Sequence, residues 1–232
     1  MITRLFIFTT FGAILNGIAL ADQPKINPEK VQLAKDLAQS NSNLKEIGLA
    51  FHQFYDAHGH CLNNIANAKG ILLLSWRVQL LPYLKEDDLF KQFKQDEPWD
   101  STHNKKLVGK LPNIFAPVRG KAGMGETFYR GFTGASTIFE ANKMLHFQDI
   151  TDGMSNTFLC VEADKSCPWT KPDDLPFDPM KAGLPKLGGT MFADGFHAVF
   201  CDGSVQFIKK DIAKETLKAL ITRDGGEVVQ FP

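Results

Sequence analysis

Apolar and polar positions alternate most regularly in residues 43–60. Apolar or aromatic side chains recur there every three or four positions, at Leu44, Ile47, Phe51, Phe54, Tyr55 and His58. The polar residues between them fall on the opposite side of a helix, at Lys45, Glu46, Gln53 and Asp56. Such spacing places one apolar stripe along an α-helix. The sequence therefore predicts an amphipathic helix that packs against the rest of the molecule.

Capping residues indicate where this helix begins and ends. Asn43 followed by Glu46 forms a capping-box pattern, and Gly59 can adopt the left-handed conformation that ends a helix. Apolar positions at helical spacing also occur upstream, nearly in phase with the stripe. We therefore expect one helix over residues 28–58, and the alternative is two helices that meet at residues 40–42.

Short helices and short strands follow this helix. We expect short helices near residues 75–84, 86–90 and 105–108, and a carboxyl-terminal helix that includes Ile212, Leu217, Leu220 and Ile221, with Gly225 and Gly226 as its stop. Runs rich in β-branched and aromatic residues, separated by glycine-bearing loops, predict antiparallel strands. These runs are residues 114–118, 128–132, 137–139, 156–162 and 196–208. The order predicts an α+β fold, with a long amino-terminal helix packed on an antiparallel sheet.

The strongest hairpin signal is Asp202-Gly203, because a two-residue type I′ turn needs positive φ at both positions. With that turn Phe200 lies opposite Val205, and Ala198 lies opposite Phe207. Alternate residues then share a face. One face, predicted to be core, holds Phe196, Ala198, Phe200, Val205 and Phe207. The other face holds His197, Val199, Cys201, Ser204 and Gln206.

The amino terminus has the features of an export signal. Arg4 is followed by an apolar run over residues 5–15 and by Ala19-Leu20-Ala21, the small-x-small pattern of a cleavage site. The run is shorter than the roughly 20 residues of a membrane-spanning helix. We therefore expect cleavage after Ala21, a secreted or periplasmic protein, and no stable membrane span in the mature chain. A retained amino-terminal anchor is the alternative, since residues 14–21 extend the apolar stretch.

Composition narrows the functional class. The chain has 26 basic and 26 acidic residues, a balance that gives no indication of a nucleic-acid partner. Four cysteines lie beyond the signal, at Cys61, Cys160, Cys167 and Cys201, and an exported context permits disulfides in any of three pairings. The apolar surroundings of Cys160 and Cys201 are equally consistent with buried free thiols.

Several motifs together resemble a known family. They include Asn43-Leu44-Lys45-Glu46-Ile47-Gly48, Leu74-Ser75-Trp76-Arg77-Val78, Glu97-Pro98-Trp99-Asp100-Ser101, Asp152-Gly153-Met154-Ser155-Asn156-Thr157, Pro168-Trp169-Thr170-Lys171-Pro172 and Asp202-Gly203-Ser204-Val205. The chain resembles, over about residues 43–229, the large planctomycete family of uncharacterised pilin-like proteins. That family was once labelled bacterial solute-binding-like and is similar to the major pseudopilin of general secretion.

This resemblance implies a pilin-like architecture and no established activity. Typical members begin with a prepilin leader, whereas this chain begins with what looks like an ordinary signal peptide. Residues 22–42 are polar, so we expect a soluble pilin-like domain. The expected organisation is a signal peptide in residues 1–21, a linker and helix extension in residues 22–42, and one α+β domain in residues 43–232.

Two clusters contain potential metal ligands. Asp149, Asp152 and Asn156 place oxygen atoms around a glycine turn, as in a calcium loop, although the twelve-residue EF-hand spacing is absent. An Asx-rich turn is the alternative interpretation. His58, His60 and Cys61 together suit zinc or copper, although a fourth ligand would have to come from elsewhere.

No catalytic constellation stands out. His197 and Ser204 share a face of the predicted hairpin but lie at opposite ends of it, too far apart for a base and a nucleophile. We therefore expect a non-enzymatic exported protein that needs no cofactor and contacts protein partners at the cell envelope. The alternative is a periplasmic module that binds a small molecule or a glycan on the aromatic side chains of Trp99, Trp169 and Phe177.

Overall fold

The computed structural model describes residues 27–181 and 183–227. Its first element is a single helix, α1 (Pro28–His58), 31 residues long. The Asn27 side chain caps its start by accepting a hydrogen bond from the Glu29 N–H, and Gly59 ends it with φ of 73°. The prediction of one continuous helix is therefore confirmed. The expected signal peptide and its cleavage site lie outside the described residues.

The predicted start at Asn43 is wrong. Asn43 lies in the middle of α1 and is buried, with its side chain bonded to Gln39 and to Tyr129. The stripe itself is correct in the second half of the helix, where Leu44, Ile47, Phe51 and Phe54 are buried. His58, at the last turn, is exposed.

The strands form one main sheet and two small ones. The main sheet contains β3 (Glu126–Arg130), β5 (Phe158–Pro168), β7 (Gly195–Phe200) and β8 (Val205–Lys209) in the order β3-β5-β7-β8, all antiparallel. The short strands β1 (Ile65–Ala66) and β2 (Leu72–Leu74) pair with each other, as do β4 (Phe132–Thr133) and β6 (Leu175–Pro176). A long helix on a mainly antiparallel sheet confirms the α+β class.

Short helices occupy the connections. They are α2 (Trp76–Gln79), α3 (Asp87–Phe90) and single 3₁₀ turns at Leu81–Leu84, Asn104–Leu107, Asn113–Phe115, Phe147–Asp149 and Met154–Asn156. The last helix is α4 (Lys214–Ile221).

Two predicted strands are absent. Residues 114–118 begin in a 3₁₀ turn, in which the Phe115 N–H donates a hydrogen bond to the Pro112 carbonyl. Residues 137–139 come at the end of a turn in which the Thr137 hydroxyl donates to the Gly134 carbonyl.

The hairpin of β7 and β8 is present, but its predicted register is wrong by one residue. Val199 pairs with Val205, and His197 pairs with Phe207. Within the turn only Gly203 has positive φ, at 84°, so the turn is not type I′. The Asp202 carboxylate accepts hydrogen bonds from the Ser204 N–H and hydroxyl. These bonds stabilise the observed turn, which is longer than the predicted two-residue turn. Every side chain of β8 is therefore on the face opposite to the predicted one.

Both faces of the main sheet are covered, and β7 is buried along its whole length. Val199 and Cys201 belong to the core cluster on the α1 side, whereas Phe196, Ala198 and Phe200 belong to the cluster that includes Leu217, Leu220 and Ile221 of α4. Ile208 joins the α4 side, and the half-exposed Phe207 lies on the α1 side. The sheet thus separates two apolar cores.

The inner side of α1 becomes polar towards its amino terminus, where Asp36 and Ser40 are buried. Asp36 forms an ion pair of 3.1 Å with Arg119. Within residues 27–181 and 183–227, none of the helices combines the length and apolar character needed to cross a bilayer. The candidate site lies beside this first half of α1.

Candidate functional site

A surface groove of about 330 Å³ lies between the first half of α1, residues 189–194 and strand β8. Its apolar lining is formed by Leu33, Leu37, Met191, Phe192, Ala193 and Phe207, and its polar lining by Arg119, Gly189, Thr190 and Asp194. Leu33 and Phe207 are 37% and 38% exposed, respectively. The groove therefore presents a mainly apolar surface to solvent.

The local backbone explains why this groove is open. The register of β8 turns Phe207 towards α1 instead of into the α4-side core. Residues 189–192 form a turn closed by the Gly189 N–H on the Phe192 carbonyl, with Gly189 at φ of 87°. The preceding Gly188, at φ of 61°, passes so close to β7 that a Cβ would lie 2.4 Å from the Gly195 oxygen. Glycine is thus required where this segment crosses the sheet.

An aromatic cluster lies at the base of the groove. The His197 ring contacts Phe192 and Phe207 edge-on, with ring centroids 5.4 Å and 5.0 Å away. His197 is buried, and its Nδ1 lies 3.1 Å from Glu162 Oε1. The His197 backbone N–H donates to Glu162 Oε2 at 2.6 Å. The imidazole is therefore held between two phenyl rings and a carboxylate.

Glu162 has no exposed surface, and its carboxylate is the centre of a hydrogen-bond network. The Ser40 hydroxyl of α1 donates to Glu162 Oε1 and lies 2.8 Å from the Tyr129 hydroxyl. Burial raises the pKa of Tyr129, so its hydroxyl stays protonated and donates to Ser40. The Asn43 amide donates to the same Tyr129 oxygen at 3.4 Å. The network connects α1 to β3, β5 and β7 at one point.

A second buried network surrounds Arg77. The Arg77 Nε donates to the Tyr129 carbonyl at 2.9 Å, and Nη1 donates to the Ser75 hydroxyl at 2.5 Å. Its nearest carboxylate is Asp174 at 3.8 Å. The Asp174 oxygens accept hydrogen bonds from Asn64 Nδ2, Trp76 Nε1 and the Gly131 N–H. Tyr129 thus joins both networks, through its hydroxyl and its carbonyl.

The predicted calcium ligands do not converge. Asp149 accepts the His146 N–H, Asp152 accepts the N–H groups of Gly225 and Gly226 at 2.8 Å each, and the Asn156 amide donates to the Asp152 carbonyl. In the described part of the chain, no three His, Cys, Asp or Glu side chains are placed to hold a metal ion. The carboxylates of Asp149 and Asp152 are engaged in closing turns, and calcium binding stays a prediction.

The histidines near the end of α1 bond to backbone carbonyls. His58 Nδ1 lies 2.9 Å from the Phe54 oxygen, and His60 Nδ1 lies 2.9 Å from the Cys61 oxygen. Burial raises the pKa of the Cys61 thiol to about 12. All four cysteines are buried and free in this structure. His58, His60 and Cys61 do not form a metal-holding group in the described part of the chain.

Of the three predicted ligand-contacting rings, two lie in the core. Trp169 has no exposed surface, and its Nε1 donates to the Val108 carbonyl at 2.9 Å. Phe177 is buried in the α4-side core. Trp99 is half-buried, with the Lys171 ammonium 5.9 Å from its ring centroid. Of these three rings, Trp99 is the one that offers aromatic surface to a ligand.

The sequence interpretation missed Glu162 and Ser40. Glu162 follows the apolar run Phe158-Leu159-Cys160-Val161, and a carboxylate in such a run signals a buried charge that needs partners. Its partners lie on other elements and have no local signal. The groove is likewise assembled from separate segments, so no short stretch of sequence contains it.

Comparison with known protein families gives a match over part of the chain. Residues 37–117 match the family described as "Protein of unknown function (DUF1559)", which is labelled solute-binding-like. The match confirms the resemblance inferred from the motifs over that segment, which includes most of α1 together with α2 and α3. Neither the curated proteins nor the solved structures yielded a match.

Proposed function

We propose that this chain is an exported, non-enzymatic protein of pilin-like architecture that acts by binding another protein at the cell envelope. The observation that carries this proposal is the open apolar groove beside strand β8. An apolar surface that a folded chain leaves open is typical of a site of interaction. The balanced charge of the chain favours a protein over a nucleic acid as partner.

The geometry favours a partner that presents an extended segment. β8 is the outer strand of the main sheet, and no described strand pairs with its other side. A free sheet edge can add a strand from another protein through main-chain hydrogen bonds. Alternate side chains of that added strand would point to the α1 side, where the groove can receive them. Backbone pairing would supply affinity, and the groove would select apolar side chains.

The same geometry supports a function without catalysis or a cofactor. His197 and Glu162 form a buried pair like that of an acid–base catalyst. Within the described ranges, however, no hydrogen bond joins the His197 side chain to a serine, threonine or cysteine side chain. The Glu162 carboxylate is occupied by Ser40 and His197, which anchor α1 to the sheet. We therefore assign the pair a structural role beneath the groove.

Site-specific photocrosslinking in living cells tests the contact surface. A photoreactive phenylalanine analogue at Phe207 should form a covalent adduct with a discrete protein partner. The same analogue at Leu49, which is 58% exposed on α1 outside the groove, serves as the matched control and should form none. Leu33→Asp should abolish the adduct by placing a charge in the groove. Absence of an adduct at Phe207, or equal adducts at both positions, would reject this surface.

Export is tested separately by cell fractionation and amino-terminal sequencing. The protein should be found outside the cytoplasm, with Asp22 as its first residue. A cytoplasmic chain that retains Met1 would contradict the proposed export and leave the groove experiment interpretable on its own.

A small-molecule ligand is the second candidate, favoured by the size of the groove. A volume of about 330 Å³ falls at the lower end of ligand sites. Native mass spectrometry of the purified protein should then show a bound molecule that Leu33→Asp removes. For a glycan, Trp99→Ala should lower affinity instead, because Trp99 is the predicted ring that keeps exposed surface. A mass equal to that of the chain alone would count against this candidate.

A further inference from the structure

A second cleft, of about 220 Å³, lies on another part of the molecule. It is lined by Arg130, Asp164, Lys165, Leu175 and Lys186. None of these residues lines the groove beside β8. The concentration of basic side chains around one depression distinguishes this cleft from the apolar groove.

The central group is the Arg130 guanidinium, whose side chain is only 10% exposed. Nε donates to the Asp173 carbonyl at 2.7 Å, and Nη2 donates to Asp173 Oδ1 at 2.9 Å. Nη2 also lies 3.4 Å from the Asp174 carbonyl. Nη1 has no hydrogen-bond partner among the described residues, yet it is not one of the fully buried unpaired atoms. Arg130 lines the cleft, and Nη1 is the guanidinium nitrogen that no described residue engages.

The charges around the cleft are not balanced. Asp173 is shared between Arg130 and Lys171, whose ammonium lies 3.0 Å from Oδ2. Asp164 accepts a hydrogen bond from the Thr190 hydroxyl at 3.3 Å. Neither Lys165 nor Lys186 forms an ion pair with any described residue. The lining of the cleft thus has three cations and one carboxylate, and Arg130 is the only one of these cations that is paired with a carboxylate, Asp173, among the described residues.

We infer that this cleft binds a small oxyanion, a phosphate or a carboxylate. Arg130 Nη1 supplies two N–H donors from a pre-positioned guanidinium, and the ammonium groups of Lys165 and Lys186 add positive charge. The Leu175 side chain forms an apolar wall, which strengthens the attraction by lowering the local dielectric constant. The inference is independent of the proposed protein contact, because the two sites share no residue.

Isothermal titration calorimetry on the mature chain, with inorganic phosphate and with acetate at constant ionic strength, tests this inference. Chloride at the same ionic strength serves as the reference. Lys165→Gln combined with Lys186→Gln should weaken binding by about tenfold. The control variant, Lys45→Gln combined with Lys105→Gln, changes the same charge on exposed residues elsewhere and should leave binding unchanged.

Asp164→Asn provides a test that misfolding cannot imitate. Removing this negative charge should tighten oxyanion binding severalfold, whereas a damaged fold would weaken it. Binding heat with phosphate but not with acetate would identify the ligand as a phosphate, and binding heat with acetate would identify it as a carboxylate. The inference is overturned if neither anion binds, or if the cleft variants and the control variants behave alike.

Discussion

Glu162 is the residue whose surroundings are most demanding. A fully buried carboxylate is tolerated only when its oxygens have hydrogen-bond partners, because an unpaired buried charge is strongly destabilising. Here the partners come from α1 and β7, so the carboxylate also fixes where α1 lies. The polar side chain of Ser40 thereby stabilises the contact between α1 and the sheet at this point, whereas apolar side chains stabilise that contact elsewhere along the helix.

Replacing Ser40 tests this role. Ser40→Ala removes the hydroxyl between Glu162 and Tyr129 and should lower the free energy of unfolding by about 1–3 kcal/mol. Ser42→Ala, an exposed serine on the same helix, should change it by less than about 0.5 kcal/mol. Urea denaturation measures both. Equal effects would mean that the Glu162 network does not hold α1.

The cysteines allow a prediction about reactivity. Burial raises the pKa of Cys61 to about 12 and also raises the pKa values of Cys160, Cys167 and Cys201. The native thiols should therefore resist iodoacetamide at pH 8, and all four should react in denaturant. The folded state holds these protons more tightly than the unfolded state does. The thiols thus contribute stability below pH 9, and it is lost as pH rises towards their folded pKa values.

Alkylation followed by mass spectrometry measures this difference. Rapid modification of any one cysteine in the native protein would show that its side chain is accessible. The fall in stability with alkaline pH should be smaller in Cys61→Ala, since that variant has lost one of the ionising groups.

At the scale of elements, the features that were predicted correctly are those that a local sequence pattern determines. The helical spacing of α1 and its Gly59 cap are local, and both predictions were confirmed. The hairpin was located correctly, but its register depends on whether Asp202 adopts positive φ. The bonds from Ser204 to the Asp202 side chain stabilise another conformation, which the Asp-Gly pair alone does not reveal. The groove depends on that register and therefore could not be predicted.

The turn itself can be tested by substitution. Gly203 has φ of 84°, so Gly203→Val should cost about 1–3 kcal/mol through backbone strain. Gly109→Val is the matched control, because Gly109 has ordinary φ and open space around its Cβ position. Thermal unfolding should separate the two variants by several degrees. An unchanged melting temperature for Gly203→Val would contradict the observed turn.

At the scale of the whole molecule, the two cores share one sheet. Trp76 and Trp169 are buried in the α1-side core, and Trp99 packs against it. The α4-side core contains no tryptophan among the described residues. Tryptophan fluorescence therefore reports on one core only. Because β7 contributes side chains to both cores, we expect them to unfold together.

A substitution in the core without tryptophan tests this coupling. Leu220→Ala, at a fully buried position in α4, should destabilise the protein by about 2–5 kcal/mol. The fluorescence transition of the distant tryptophans should shift with the circular dichroism transition. Leu49→Ala, at an exposed position, should shift neither. An unchanged fluorescence midpoint in Leu220→Ala would show that the two cores unfold independently.

The length of one loop has a consequence for how this surface can diverge. Side chains of a strand alternate between faces, so adding or deleting a single residue in the β7–β8 turn exchanges the two faces of β8. One deletion would bring Phe207 to the α4 side and Ile208 to the α1 side. The aromatic wall of the groove would disappear without any substitution among the residues that line it. Related chains that differ by one residue at this turn are therefore expected to differ in whether they possess the groove, even where its lining residues are identical.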